Sequence, residues 1–157
     1  QREGINHAFF YELNDNNINS STQYNSMGLT DSVYQRKPAM DYLFQTNALM
    51  GNYRYKRTLQ TYPVVDEYDL NGSYIYAVWM PTETGATQSC HITFKQTDSV
   101  TVYTPTAGVN SMQQQNLPVT NGQIQIIATE TPVFIKAKSP VAALQYVYNG
   151  KIVMGEF

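Results

Sequence analysis

The apolar periodicity of this chain changes once, at Asn52, and that change limits what it can fold into. Before it, residues 5–13 carry large apolar side chains at consecutive positions, residues 14–36 form an Asn-rich polar stretch, and Pro38–Met50 has helical spacing. After it, apolar and polar residues alternate in short runs. A strand apolar on both faces, then a polar loop, then a helix, is the repeating unit of a parallel α/β sheet. Only one such unit is present, and the rest reads as antiparallel β. The expectation is that the chain begins inside the last strand–helix unit of something larger.

At 157 residues the length suits about one domain with a real core. The chain opens with Gln1, Arg2 and Glu3, shows no signal-peptide apolar core, and has no run long enough to span a bilayer. It is expected to be a soluble mature product or an excised fragment, and its surface of Asn, Gln, Ser and Thr with 13 Tyr is a mixture common in secreted proteins, extracellular or periplasmic. A net charge of -2 with 14% charged residues leaves no basic stripe, which argues against nucleic-acid binding, and no membrane partner is expected. The single cysteine, Cys90, excludes an internal disulfide and a cysteine-rich zinc site. It alternates with Ile92 and Phe94, as a core residue would.

The helix is predicted to start at Pro38, whose missing N–H costs nothing in the first turn, and to stop at a left-handed Gly51. Ala39, Met40, Leu43, Phe44 and Met50 define its expected packing face. Period-two runs then mark strands over 53–59, Val64–Leu70, 73–80, Gln88–Phe94, 99–103, Gln123–Ala128 and 133–138, and a closing hairpin over 141–157. Asn71-Gly72 is the strongest turn signal, because both positions of a tight hairpin need positive φ. The fold class expected is mainly β: an antiparallel, Ig-like β-sandwich of about seven to eight strands with one N-terminal strand–loop–helix unit. The expected division is 1–51, 52–138 and a tail, 139–157. In the strand over 73–80 both faces are apolar, Tyr74, Tyr76, Val78 and Met80 on one and Ile75, Ala77 and Trp79 on the other. Such a strand is central, with its second face against the helix or against a domain outside the chain.

Several short motifs now stand in order: Tyr11-Glu12-Leu13-Asn14-Asp15, then Gly28-Leu29-Thr30, then Lys37-Pro38-Ala39, and later Tyr74 to Trp79 and Thr131-Pro132-Val133-Phe134-Ile135. Together they resemble the last strand–helix unit and the C-terminal β-sandwich of TIM-barrel glycoside hydrolases of the large retaining clan. The resemblance implies a secreted carbohydrate-active parent. It also implies that the two catalytic Glu residues, near the ends of the fourth and seventh barrel strands, lie outside this chain. Retaining hydrolysis needs two carboxyl groups about 5 Å apart, so no residue here is assigned a catalytic role and hydrolysis by this chain alone is not expected.

The candidate substrate-binding residues are Tyr11, Glu12, Asn14, Asp15 and Trp79. Glu12 and Asp15 suit bidentate acceptance from sugar hydroxyls; the alternatives are a salt bridge for Glu12 and a turn role for Asp15. Tyr11 and Trp79 are either stacking platforms or core residues. His7 and His91 lack a second ligand at metal spacing and are read as structural. No cofactor motif occurs, and none is expected. Three functions follow: a C-terminal accessory part of a glycoside hydrolase, a freestanding carbohydrate-binding module, or a structural protein-interaction sandwich. The expected partners are a polysaccharide or oligosaccharide reached through the parent, the missing barrel segment, and a second copy, recruited by the unpaired edges of residues 5–13.

Overall fold

The computed structural model describes residues 12–15, 27–148 and 150–157, so the strand expected over 5–13 lies outside the described residues but for Glu12 and Leu13, and neither of these is in a strand. The chain divides into two compact units: residues 1–51 with 105–112, and residues 52–104 with 113–157.

The second unit holds ten strands among the described residues: β1 (Arg54–Thr61), β2 (Val64–Leu70), β3 (Ser73–Trp79), β4 (Gln88–Phe94), β5 (Ser99–Thr104), β6 (Gln113–Pro118), β7 (Gln123–Ala128), β8 (Val133–Ala137), β9 (Val141–Tyr148) and β10 (Lys151–Glu156). They form a six-stranded sheet, β1-β2-β3-β8-β5-β6, and a four-stranded sheet, β10-β9-β4-β7, antiparallel throughout. The mainly β, sandwich fold class therefore stands, with ten strands in place of seven to eight. The strand missing from the sequence reading is β6, Gln-Gln-Gln-Asn-Leu-Pro, which has no apolar alternation to reveal it.

The inner faces of the two sheets supply the core. Val65, Tyr76, Val78, Ile135 and Ala137 come from one sheet, and Cys90, Ile92, Ile124, Ile126 and Leu144 from the other, all buried in one apolar cluster. Fully burying such aliphatic chains contributes about 1.5–3 kcal/mol each. Burial in the same cluster pushes the Cys90 thiol up to about 12, so it behaves as a small apolar residue. Tyr76 reaches across the core, and its hydroxyl oxygen accepts the Val141 N–H at 2.9 Å. At Asn71-Gly72 both turn residues have positive φ, 51° and 83°, and β2 and β3 pair in unbroken register on either side.

β3 is central, as its two apolar faces require. Tyr76 and Val78 enter the core, while Ile75 and Ala77 on the opposite face are also buried. β1 departs from the alternation expected for residues 53–59. Its pairing with β2 slips between Tyr55 and Arg57, and again between Thr58 and Gln60. The first bulge turns two consecutive cations toward one carboxylate. Lys56 Nζ lies 2.9 Å and Arg57 Nε 3.0 Å from the oxygens of Glu67, which is fully buried.

In the first unit the one described helix, α1, spans Pro38–Met50, with Pro38 in its first turn as expected. Two expectations about it are overturned. Gly51 is not left-handed: its φ is -55° and its N–H continues the helix to the Asn47 carbonyl. Glycine is needed there for space, since an added Cβ would stand 2.6 Å from that oxygen. Nor do the apolar residues form the packing face. Phe44 is 56% and Leu43 41% exposed, while the buried helical residues are Asp41 and Gln45, each 2% exposed. Backbone groups of residues 105–109 explain the inversion, because they bond to these two polar side chains and turn that side of the helix inward.

Candidate functional site

The expected sugar-contact residues at the start of the chain gather in one loop cluster of the first unit. Asn14 bridges Thr30 in parallel fashion, and Thr30 in turn bridges Arg36. The Asp15 N–H donates to the Thr30 carbonyl at 3.0 Å, and the Thr30 N–H to the Leu13 carbonyl at 2.9 Å. This brings the carboxylate of Asp15 against two donors: Gly28 N–H at 2.9 Å and Lys37 Nζ at 2.6 Å, both on Oδ1. The Lys37 ammonium above all, and then the Gly28 N–H, hold the Asp15 carboxyl below its ordinary range. Gly28 cannot carry a side chain here, because a Cβ would lie 2.4 Å from the Asn14 carbonyl carbon. Asp15 is buried, Glu12 and Asn14 are part-buried, and Tyr11 lies outside the described residues.

A second polar assembly forms around α1. Gln45 Nε2 donates to the carbonyls of Thr106 and Val109, at 2.7 and 2.8 Å, and Gln45 Oε1 accepts the Thr106 N–H at 3.0 Å. One turn earlier, Asp41 Oδ2 accepts the Gly108 N–H at 2.7 Å. Arg36 Nε stands 3.1 Å from Asp41 Oδ1, out of line for a hydrogen bond, so that contact is Coulombic. The same guanidinium donates to Asn110 Oδ1 at 2.6 Å. Spacing of i, i+4 puts Asp41 and Gln45 on one face, and together they act as a clamp on the backbone between β5 and β6.

Trp79, the remaining candidate, belongs to the second unit. It ends β3 opposite Val64, part-buried, on the face that carries Ile75 and Ala77 and not on the core face. The candidates are thus not all brought together: Glu12, Asn14 and Asp15 share a cluster, and Trp79 stands in the sandwich unit.

Among the described residues the sandwich has a further concave feature that sequence reasoning did not find. A cleft of about 330 Å³ is walled by Thr58, Leu59, Gln60 and Thr61 of β1 on one side and Val153, Met154 and Gly155 of β10 on the other, with Tyr146 and Phe157 completing it. Consecutive residues line both walls. Neighbours in a strand point to opposite faces, so the walls are strand edges and not strand faces. No charged side chain lines the cleft. Nothing in residues 141–157 read alone distinguishes this lining from an ordinary hairpin.

A third carboxylate fixes a turn. Glu130 Oε1 accepts the Thr82 hydroxyl at 2.8 Å and the N–H groups of Thr84 and Gly85 at 2.7 and 2.8 Å, and these bonds, Thr82 first, hold its carboxyl below the usual range. Among the described residues no three His, Cys, Asp or Glu side chains converge as a metal site, and no helix is long and apolar enough to cross a membrane.

No protein-family model matches this chain, and no curated protein matches it. Among solved structures it is similar to a GH30 endoxylanase from Clostridium papyrosolvens C71, with a TM-score of 0.51 and 18% identity over 73% of this chain and 31% of that chain. That likeness shows a shared fold. The chain spans less than a third of the length of that enzyme.

Proposed function

We propose that this chain is the C-terminal part of a secreted glycoside hydrolase, an accessory β-sandwich beside a carbohydrate-active barrel, with the catalytic carboxylates outside it. The observation that carries the reading is the structural likeness to an endoxylanase, which extends over most of this chain but under a third of that enzyme. The first unit supports it. Leu13, Met27, Val33, Leu43 and Phe44 are exposed there while its buried helical side chains are polar, the pattern of a surface made to be covered. On this reading Glu12, Asn14 and Asp15 shape the rim of a sugar-binding mouth, with Asp15 anchoring the loop through Lys37.

A second reading, a freestanding carbohydrate-binding module, is favoured by the cleft between β1 and β10. Its two aromatic rings, Tyr146 and Phe157, stand with the Thr61 hydroxyl, while the Thr58 hydroxyl donates to Asp66 and the Gln60 amide to the Pro63 carbonyl; the rings are what suit this uncharged lining to a neutral sugar. One experiment separates the two. The chain is electrophoresed through gels containing xylan, mannan or β-glucan, and reducing-sugar release from the same polymers is measured. The accessory reading expects neither retardation nor release. Retardation that Tyr146→Ala abolishes would favour the module, and release by a pure sample would overturn both.

A further inference from the structure

Asn-Gly suits a two-residue turn, and the same pair is open to an internal reaction, because glycine has no side chain to shield its amide nitrogen. That nitrogen attacks the side-chain carbonyl carbon of the preceding Asn. The new C–N bond closes a succinimide ring, and the Asn nitrogen leaves as ammonia with the proton given up by the amide. Water then opens the ring at either carbonyl, leaving aspartate or isoaspartate. One amide and one water are consumed, one carboxylate and one ammonium appear, and nothing is oxidised or reduced.

The chain has three such pairs, at 71–72, 121–122 and 149–150, and Asn149 lies outside the described residues. The other two are the same turn built twice. Asn71 and Gly72 have φ of 51° and 83°, Asn121 and Gly122 of 52° and 76°, and both asparagines are exposed. Ring closure must bring the Asn side chain and the Gly nitrogen together, so the left-handed turn has first to open.

Two differences separate the turns. The first is closed by Leu70 opposite Ser73, and from there the β2–β3 ladder runs without a slip to Val64 opposite Trp79 inside the six-stranded sheet. The second is closed by Thr120 and Gln123, which exchange two hydrogen bonds of 3.0 Å in an isolated bridge. β6 before it and β7 after it belong to different sheets, so no ladder continues that bridge. Beyond it only the Gly122 carbonyl is tied down, by the Phe94 N–H at 2.9 Å. A short bridge opens locally far more often than a central hairpin. The nucleophile also differs. The Gly72 N–H donates to Asp69 Oδ1 at 3.2 Å, and a negative charge beside that nitrogen opposes loss of its proton. Among the described residues the Gly122 N–H has no such acceptor.

We propose that Asn121 is a modification site, converted without an enzyme to aspartate and isoaspartate in the folded protein, while the matching turn at Asn71 is held back by its ladder and by Asp69. The product adds one negative charge to a chain of net charge -2. Isoaspartate also routes the main chain through its side chain, which lengthens the path between Thr120 and Gln123. The reciprocal bridge at the head of β7 then loses its register, next to Ile124 of the core. Each copy thus records its age as a charge and a loosened strand start.

The test is incubation of the whole chain at mildly alkaline pH, folded and in urea, with peptide mass mapping of all three pairs over time. In urea they should react at similar rates. In the folded chain Asn121 should react at least about tenfold faster than Asn71. Its peptide should become a substrate for an isoaspartyl methyltransferase, and exchange at the Gln123 amide should accelerate in the aged protein. Asp69→Ala should raise the Asn71 rate about threefold and leave Asn121, the internal standard, unchanged. A folded chain in which Asn71 keeps pace with Asn121, or in which Asn121 stays intact after the unfolded chain has reacted fully, would overturn the proposal. An Asn71 rate unmoved by Asp69→Ala would remove Asp69 from it.

Discussion

The two units of this chain solve the burial problem in opposite ways. The sandwich hides a large cluster of aliphatic and aromatic side chains from both sheets, with Asp66, Glu67 and Ser139 as its few buried polar residues. The helical unit hides Asp15, Asp41 and Gln45 and leaves Leu43, Phe44, Val33 and Tyr34 outside. Apolar burial is non-directional and tolerates small shifts, whereas each buried polar group needs its partner in place. The sandwich has a core sufficient for a fold, while the helical unit is held by a few directed bonds from side chain to backbone. A unit of that second kind has surplus apolar surface, and this is why we read it as one part of a larger carbohydrate-active body.

The comparison can be broken most sharply by truncating one apolar residue on each side of it. Ile92→Ala in the sandwich core should cost about 2–5 kcal/mol, whereas Phe44→Ala on the helix should change stability by about 0.5 kcal/mol or less, both read from urea denaturation. Equal losses would mean that Phe44 is covered in solution and that the contrast fails. A smaller and local effect is expected from Gln45→Ala. Hydrogen exchange at Thr106, whose N–H loses its Gln45 acceptor, should accelerate at least about fivefold, in line with about 1 kcal/mol per lost bond, while amides of β3 and β8 keep their protection. Uniform acceleration across both units would show that the clamp and the core unfold together.

The smallest effect is in acid. Asp15 and Glu130, one in each unit, have carboxyls held below their ordinary values of 3.8 and 4.5. Between the depressed and ordinary values the unfolded chain binds more protons than the folded one. Stability from these groups is therefore complete above the ordinary values and is lost as pH falls through the depressed ones. Asp15→Asn should flatten the acid limb of thermal stability below about pH 4, and Glu130→Gln should do the same independently. A single acid transition unmoved by either variant would remove carboxylate pairing from the contrast.

Local signals made much of the sandwich legible. Asn71-Gly72 announced its hairpin because only a few residues accept positive φ in succession, and Gln88–Phe94 announced its strand by strict alternation of Cys90, Ile92 and Phe94. β6 was illegible because a strand of glutamines has no apolar face to betray it. The helix boundaries were readable from Pro38, but the buried face was not. Its partners, Thr106, Gly108 and Val109, lie more than sixty positions downstream, and no local period encodes them. The same distance effect hid the pairing of Asp15 with Lys37, twenty-two residues apart. Of the candidate residues, three could be grouped from their adjacency alone, whereas the cleft between β1 and β10 depends on two strands nearly a hundred residues apart and could not.

Residues 105–112 lie between two sandwich strands yet belong to the unit that contains α1, so the chain passes from one unit to the other three times. This has an evolutionary consequence. A sandwich copied into another gene by a single break after residue 51 would carry a loop whose anchors, Asp41 and Gln45, had been left behind. Recombination that separates the helix from the sandwich should therefore be selected against even where each part retains its own sequence.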